Sequence, residues 1–308
     1  MRLYDLVIIG GGPAGLTAGI YAGRSKLKTL LLAGAVPGGQ IYLTYQVENY
    51  PGFPGSITGP DLVDRLVTQV KRFGAELREE EATRVDFSSK PYRVYVGEEI
   101  IESRSVIIAT GSSNRLLGLE SEKRLMGRGV FVCATCDAAL YEDLKVVAVG
   151  GGDSALQEAL DITKFASEVV IVHRNDVFSA SRYLIDEVEK NDKITSMMRH
   201  TVEEILGEKY VDGVRVRNRD SGEETIIQTD GVLIAIGWDP NTRIFRGQLE
   251  LTEKGYIVAD GVLTSIPGVF VAGDLNDTVY RQVITACGSG CKAALEAEKY
   301  LSREALVK

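Results

Sequence analysis

The sequence is short of positive charge, of histidine and of long apolar runs. Its 35 lysines and arginines stand against 43 acids, a formal net charge of −8. A chain of that sign repels polyanions, so neither nucleic acid nor an anionic membrane is an expected partner. No stretch reaches the roughly 18 consecutive apolar residues of a spanning helix, so no membrane segment is expected. The first apolar strand begins by Tyr4, leaving no space for a signal peptide ahead of it, and the expected location is cytoplasmic. Four cysteines in 308 residues are too few for a disulfide scaffold. Only His173 and His200 are present, which weakens any histidine-based acid. No low-complexity linker divides the chain.

Glycine, by contrast, is abundant: 33 residues, above the usual share of about 7%. Many glycines follow short apolar runs, where close backbone approach to a ligand is at a premium. The length suits about two domains. Leu6 to Ile9 reads as a strand, Pro13 to Arg24 as a helix and Thr29 to Leu32 as the next strand, a β-α-β unit. Residues 40–59 read as a ligand-wrapping loop and Gly59 to Phe73 as an amphipathic helix. Val106 to Ala109 is a further strand.

The pattern restarts with a strand over Lys145 to Val149, a helix over Ser154 to Phe165 and a strand over Val169 to Val172. Arg215 to Gln228 reads as a hairpin turning at Ser221-Gly222. Strands at Val232 to Ile236 and Val269 to Val271 precede a last helix, Thr285 to Leu301. The fold class is therefore α/β, with two Rossmann-like three-layer dinucleotide-binding domains, the second inserted into the first. The expected boundaries are 1–114 with 244–308, and 115–243.

The first glycine turn is Gly10-Gly11-Gly12-Pro13-Ala14-Gly15. In that pattern the first glycine makes the tight turn, the second admits a pyrophosphate and the third lets helix and strand pack closely. The pyrophosphate then meets the free N–H groups of the helix start. The acid that usually follows about 20 residues on is absent at Leu32-Ala33-Gly34. The second turn, Gly150-Gly151-Gly152-Asp153-Ser154-Ala155, repeats the pattern. Its second strand ends at His173-Arg174-Asn175, where a basic residue suits a 2′-phosphate. A structural glycine turn and a solvated strand end are the alternatives for these two features.

Between the cradles lies Cys133-Ala134-Thr135-Cys136-Asp137. Two cysteines at this spacing reach each other across one turn, and such a pair is redox-active or metal-binding. Helical residues after Cys136 would bring its sulfur to a helix N-terminus and favour thiolate. Asp137 can give and take the proton that disulfide cleavage requires. A zinc site shared with Cys287 and Cys291 is disfavoured, because those two are one helical turn apart, unlike a zinc ribbon. They are read as structural, and no metal is expected.

These motifs, together with Gly38-Gly39-Gln40, Val47-Glu48-Asn49-Tyr50-Pro51-Gly52, Ala109-Thr110-Gly111, Ile236-Gly237, Pro240-Asn241-Thr242, Gly273-Asp274, Tyr280-Arg281-Gln282 and Gly288-x-Gly290-Cys291, resemble one family from Leu6 to Leu301. It is the low-molecular-weight thioredoxin reductases. The resemblance implies a homodimer with one FAD and one redox-active disulfide per subunit, acting on thioredoxin or a thioredoxin-like protein. It implies that Cys136 exchanges electrons with the flavin, Cys133 attacks the thioredoxin disulfide and Asp137 donates the proton. FAD would be held by Gly10, Gly11, Gly12, Pro13, Ala14, Gly15, Gly39, Gln40, Asn49, Thr110, Gly111, Gly273, Asp274, Arg281, Gln282 and Val283. A nicotinamide dinucleotide would be held by Gly150, Gly152, Ser154, His173, Arg174 and Ile236. It also implies that the middle domain turns between two orientations, since dithiol and nicotinamide must reach the same flavin.

The sequence departs from the family at one place. His173, Arg174, Asn175 and Ser179 stand where the family carries His-Arg-Arg and a further arginine. Two missing charge-assisted bonds at about 1.5–3 kcal/mol each would weaken 2′-phosphate binding by roughly 10²- to 10⁴-fold. Arg182 is the nearby residue able to compensate. NADPH is therefore expected to be a poor donor and NADH to be accepted comparably or better. A donor other than a nicotinamide, such as reduced ferredoxin or a deazaflavin, is the alternative. Two other functions remain open: a dithiol oxidase acting on small-molecule thiols, and a flavin redox sensor without turnover. The flavoproteins that reduce ferredoxin with NADPH lack the Cys-x-x-Cys, which counts against that relative.

Overall fold

The structure is a computed structural model that describes residues 2–44 and 46–306. The chain forms two compact units, Met1–Ser113 with Asp239–Lys308, and Asn114–Trp238.

In the first unit, strand Leu3–Ile9 lies parallel between Thr29–Leu32 and Glu99–Ile108. Glu76–Arg78 extends the sheet beyond Thr29–Leu32, and Val269–Val271 joins Glu99–Ile108 on its C-terminal half. The N-terminal half of Glu99–Ile108 instead pairs antiparallel with Tyr92–Val96, which pairs with Arg84–Asp86. Alternation along the central strand sorts its side chains into two cores. Leu6 and Ile8 pack with helices Pro13–Arg24, Gly59–Arg72 and Val283–Leu306, while Val7 and Ile9 pack with Val94, Phe245 and Ile257 on the other face. Burial on both faces is worth about 1.5–3 kcal/mol for each such side chain, an upper figure. Helix Gly59–Arg72 starts at an N-cap, Thr58, whose hydroxyl accepts from Asp61 N at 3.1 Å.

The second unit repeats this layering. Its sheet runs in the order Ile194–Met198, Glu168–His173, Lys145–Val149, Gly231–Ile234, Val130–Phe131, all parallel. Val146 and Ala148 face helices Asp153–Ile162 and Arg182–Glu189. Val147 and Val149 face a three-stranded antiparallel sheet of His200–Leu206, Gly213–Asn218 and Glu224–Gln228. Each unit is thus helices, parallel sheet and antiparallel strands in three layers, and the fold is two Rossmann-like units.

Several elements differ from the sequence reading. The last helix runs Val283–Leu306, longer at both ends; Arg281, two residues before its start, is left-handed (φ 46°). Strands Arg84–Asp86 and Tyr92–Val96 and helices Glu120–Leu125 and Arg182–Glu189 had no sequence assignment. Among the described residues no helix is long and apolar enough to cross a membrane.

Candidate functional site

The two glycine turns are built alike, bond for bond. Gly10 N donates to Leu32 O at 2.8 Å and Gly150 N to Val172 O at 3.1 Å, tying each turn to the end of the next strand. Gly10 (φ 117°) and Gly150 (φ 154°) make the bends. A Cβ on Gly15 would overlap the Gly10 carbonyl, and one on Gly150 would overlap the Ala155 side chain, so helix and strand meet without space to spare. Gly12 and Gly152 are the N-caps, and neither helix start has a side-chain cap bond. No protein atom lies within 4 Å of a Gly12 Cβ position, and beside Gly152 the nearest is Ser179 Oγ at 3.8 Å. Each cradle therefore presents a helix N-terminus with open space at its second motif glycine, the geometry that fits a pyrophosphate. A loop covers each middle glycine: Gly38 N donates to Gly11 O at 2.8 Å, and Ser179 N to Gly151 O at 2.7 Å. No spacing rule in the sequence signals that pairing.

Around the first cradle the expected residues converge. A Cβ on Gly39 would lie 3.5 Å from Gly12 Cα, so the Gly39 loop lies against the turn, and Gln40 follows on the exposed side. Gly273 (φ 78°) abuts Ala14, and its N–H donates to Ser289 Oγ at 2.8 Å. Asn49 Nδ2 donates to Gln282 Oε1 at 3.4 Å. Arg281 is held by its guanidinium, which donates to Tyr256 Oη at 3.1 Å, and Val283 opens the last helix. Burial pushes the Asp274 carboxyl up to about 6, an effect Arg281 opposes. Thr110 and Gly111 form a turn tied by Asn241, whose Nδ2 donates to Thr110 O at 2.9 Å and whose N donates to Gly111 O at 3.0 Å. Asn276 Oδ1 is buried without a partner in the same unit. Asn241 belongs to the Pro240-Asn241-Thr242 motif, although its tie to Thr110 crosses 131 residues.

Around the second cradle Ser154 lies in the first helical turn, Arg174 is exposed at the strand end, and Ile236 is half-buried just past strand Gly231–Ile234. His173 is turned inward. Its ring is buried under Gly151, Nε2 lies 3.0 Å from Val177 O, and burial lowers its pKa. It supports the turn from beneath, on the face of the sheet opposite Val172.

Cys133 and Cys136 form a disulfide with Cα atoms 5.3 Å apart. Cys133, not Cys136, is the N-cap of a short helix, Ala134–Asp137, which a 3-10 turn over Ala138–Tyr141 continues. Cys136 N and Asp137 N both donate to Cys133 O at 3.2 Å. Burial pushes the half-buried Asp137 carboxyl up to about 6. Glu158 was not anticipated. From helix Asp153–Ile162 its Oε2 accepts from Ala134 N at 3.0 Å, so the cradle helix holds the dithiol helix. Cys287 is buried beneath the first cradle, its Sγ 3.8 Å from Pro13 O and from Tyr50 Oη, and burial raises its pKa. Among the described residues no cluster of three or more metal-ligating side chains is present.

The family model described as pyridine nucleotide-disulphide oxidoreductase matches residues 4–290. A thioredoxin reductase of Mycolicibacterium smegmatis is 45% identical over 304 residues, 98% of each chain. Among solved structures, thioredoxin reductase from Giardia duodenalis is 41% identical with a TM-score of 0.93, covering 98% of this chain and 100% of its own. That from Streptococcus pyogenes is 37% identical with a TM-score of 0.94, covering 98% and 99%.

Proposed function

Because the chain belongs to the thioredoxin reductases of the pyridine nucleotide-disulphide oxidoreductase family, we propose that it is a flavin-dependent thioredoxin-disulfide reductase. The observation that carries this reading is the Cys133–Cys136 disulfide beside a buried-shifted acid, on a helix held by the second dinucleotide cradle.

Unit Met1–Ser113 with Asp239–Lys308 is the FAD domain and Asn114–Trp238 the nicotinamide and dithiol domain of this proposal. The open Gly12 and the uncapped start of Pro13–Arg24 support FAD at the first cradle, with Gly10, Gly11, Ala14, Gly15, Gly39, Gln40, Asn49, Thr110, Gly111, Gly273, Asp274, Arg281, Gln282 and Val283 around it. Bound there, FAD supplies the carrier that accepts a hydride from a nicotinamide and passes an electron pair onward. Gly150, Gly152, Ser154, Arg174 and Ile236 line the nicotinamide dinucleotide.

Opening the Cys133–Cys136 disulfide takes up two electrons and two protons and leaves two thiols. Cys133, at the N-cap, is the thiolate that attacks the thioredoxin disulfide, forming a mixed disulfide and releasing one thioredoxin thiolate. Cys136 then attacks Cys133 Sγ, restoring the internal disulfide and releasing reduced thioredoxin. Asp137 holds the proton that a departing thiolate needs, and its raised pKa keeps part of it protonated near neutral pH. The enzyme of this proposal is a cytoplasmic homodimer.

The test is to purify the protein, confirm a yellow cofactor, and follow flavin bleaching by each nicotinamide and then reduction of a thioredoxin disulfide. Oxygen uptake with a small dithiol, measured alongside, reports a dithiol oxidase instead. Colourless protein refutes the proposal.

A further inference from the structure

We propose that Arg219, reaching across from a hairpin turn, acts with Arg174 to recognise the 2′-phosphate of NADPH. The inference rests on the nicotinamide reading of the second cradle given above. In a dinucleotide-binding unit the residues just past the second strand meet the ribose 2′ position, and an arginine there accommodates a phosphate. Here that strand is Glu168–His173, and Arg174 follows it. Counting along the strand finds one arginine. The fold delivers a second.

Arg219 lies in the turn between Gly213–Asn218 and Glu224–Gln228. Its Nη1 donates to Arg174 O at 2.8 Å, and its backbone N donates to Arg199 O at 2.8 Å. Arg199 in turn donates from its backbone N to Asn175 O at 2.9 Å, in a left-handed conformation (φ 60°). The hairpin turn is thus fastened to the strand end by one direct bond and by a relay of two through Arg199, and the Arg219 guanidinium is located rather than free-swinging.

The charges nearby are arranged to spare these two arginines. Arg199 bonds two carboxylates at this corner, Asp176 and Asp220, at 3.2 and 2.7 Å. That pairing ties both acids to Arg199 and offsets one of their two negative charges. Arg174 and Arg219 have no carboxylate partner among the described residues, and both are exposed. The other candidates are spent elsewhere. Arg182 pairs with Asp186 at 2.8 Å on its own helix, Ser179 Oγ donates to Gly151 O at 3.1 Å, and His173 is turned under the cradle. A phosphate dianion at this corner therefore meets two guanidinium groups that no carboxylate neutralises, one of them, Arg219, anchored through Nη1 with its other N–H donors left to offer. The expectation of poor NADPH use, drawn from Asn175 and Ser179, is reversed on this account.

The experiment titrates the FAD-loaded protein with 2′,5′-ADP and with 5′-AMP by calorimetry, for wild type, Arg219→Gln and Arg174→Gln. Binding, not turnover, is the readout. Wild type is expected to bind 2′,5′-ADP about tenfold or more tightly than 5′-AMP. Either variant should lose about tenfold for 2′,5′-ADP while 5′-AMP affinity stays unchanged, which also shows that the fold is intact. Equal wild-type affinity for the two ligands overturns the proposal but leaves the nucleotide site standing. So does equal weakening of both ligands in Arg219→Gln, which would mark a purely structural role. If neither ligand binds, the nicotinamide reading of the cradle fails together with the proposal.

Discussion

Replacing Asp137 with asparagine keeps the shape of the side chain and removes its proton. Burial holds this carboxyl at about 6, against an ordinary value of 3.8. Roughly one molecule in ten is then protonated at Asp137 at pH 7, and about nine in ten at pH 5. If that proton is the one taken by the departing thiolate, stopped-flow reduction of a thioredoxin disulfide by the Asn variant should slow by roughly 10²- to 10⁴-fold at pH 7. Flavin content should not change. Stability should move in the opposite direction. A carboxyl whose pKa is raised on folding binds its proton more tightly in the native state, so its contribution is fully present below about pH 4 and is lost as pH climbs through 6. The displacement of about two units corresponds to ~3 kcal/mol at most. Water still reaches this half-buried group, so ~1–2 kcal/mol is the expected gain for the Asn variant at pH 7. Denaturant midpoints of the oxidised protein at pH 4, 5, 6 and 7 should show a gap that opens with rising pH. Undiminished thioredoxin reduction by the variant, or a gap that widens toward acid, refutes the reasoning.

Cys136→Ser should leave FAD bound and reducible while thioredoxin turnover disappears; unchanged turnover rules out the relay. Gly12→Ala and Gly15→Ala should separate ligand space from packing. No protein atom opposes a Cβ at Gly12, so that variant should fold normally and lose flavin absorbance per mole of protein, whereas Gly15→Ala forces helix and strand apart and should destabilise the fold by ~1–3 kcal/mol as well. Glu158→Ala strands the Ala134 N–H at a cost of ~1–3 kcal/mol and should shift the dithiol–disulfide equilibrium measured against glutathione, while Glu158→Gln preserves the acceptor and most of the stability.

The cradles and the dithiol were legible because their chemistry is local. Gly10, Gly12 and Gly15 are dictated by one turn of backbone, and helix Pro13–Arg24 and strand Thr29–Leu32 occur at the boundaries that their patterns announce. What stayed hidden depends on contacts between distant segments. Glu158 meets Ala134 across 24 residues, and Asn241 meets Thr110 across 131. Arg219 reaches Arg174 only because the antiparallel sheet folds its turn back onto the strand end. His173 was legible as a strand-end residue but not as an inward-facing one, since a turn flanked by Gly151 and Val177 decides which way the ring points. Cys133 rather than Cys136 caps the dithiol helix because helical bonding begins at Cys133 O, a choice of one residue that no motif encodes.

The first unit draws strand Val269–Val271 and helix Val283–Leu306 from the far end of the chain, and Gly290 seats that helix directly on the Ala14 carbonyl. During synthesis the opening β-α-β segment therefore leaves the ribosome long before the partners that cover it. At about 5–20 residues per second, the wait between Ser113 and the final helix is roughly 10–40 s. The contiguous segment 114–238 faces no such delay and should mature first on the nascent polypeptide. A premature stop before Val269 would thus yield a chain whose middle resists protease while its opening segment stays open to cleavage and aggregation.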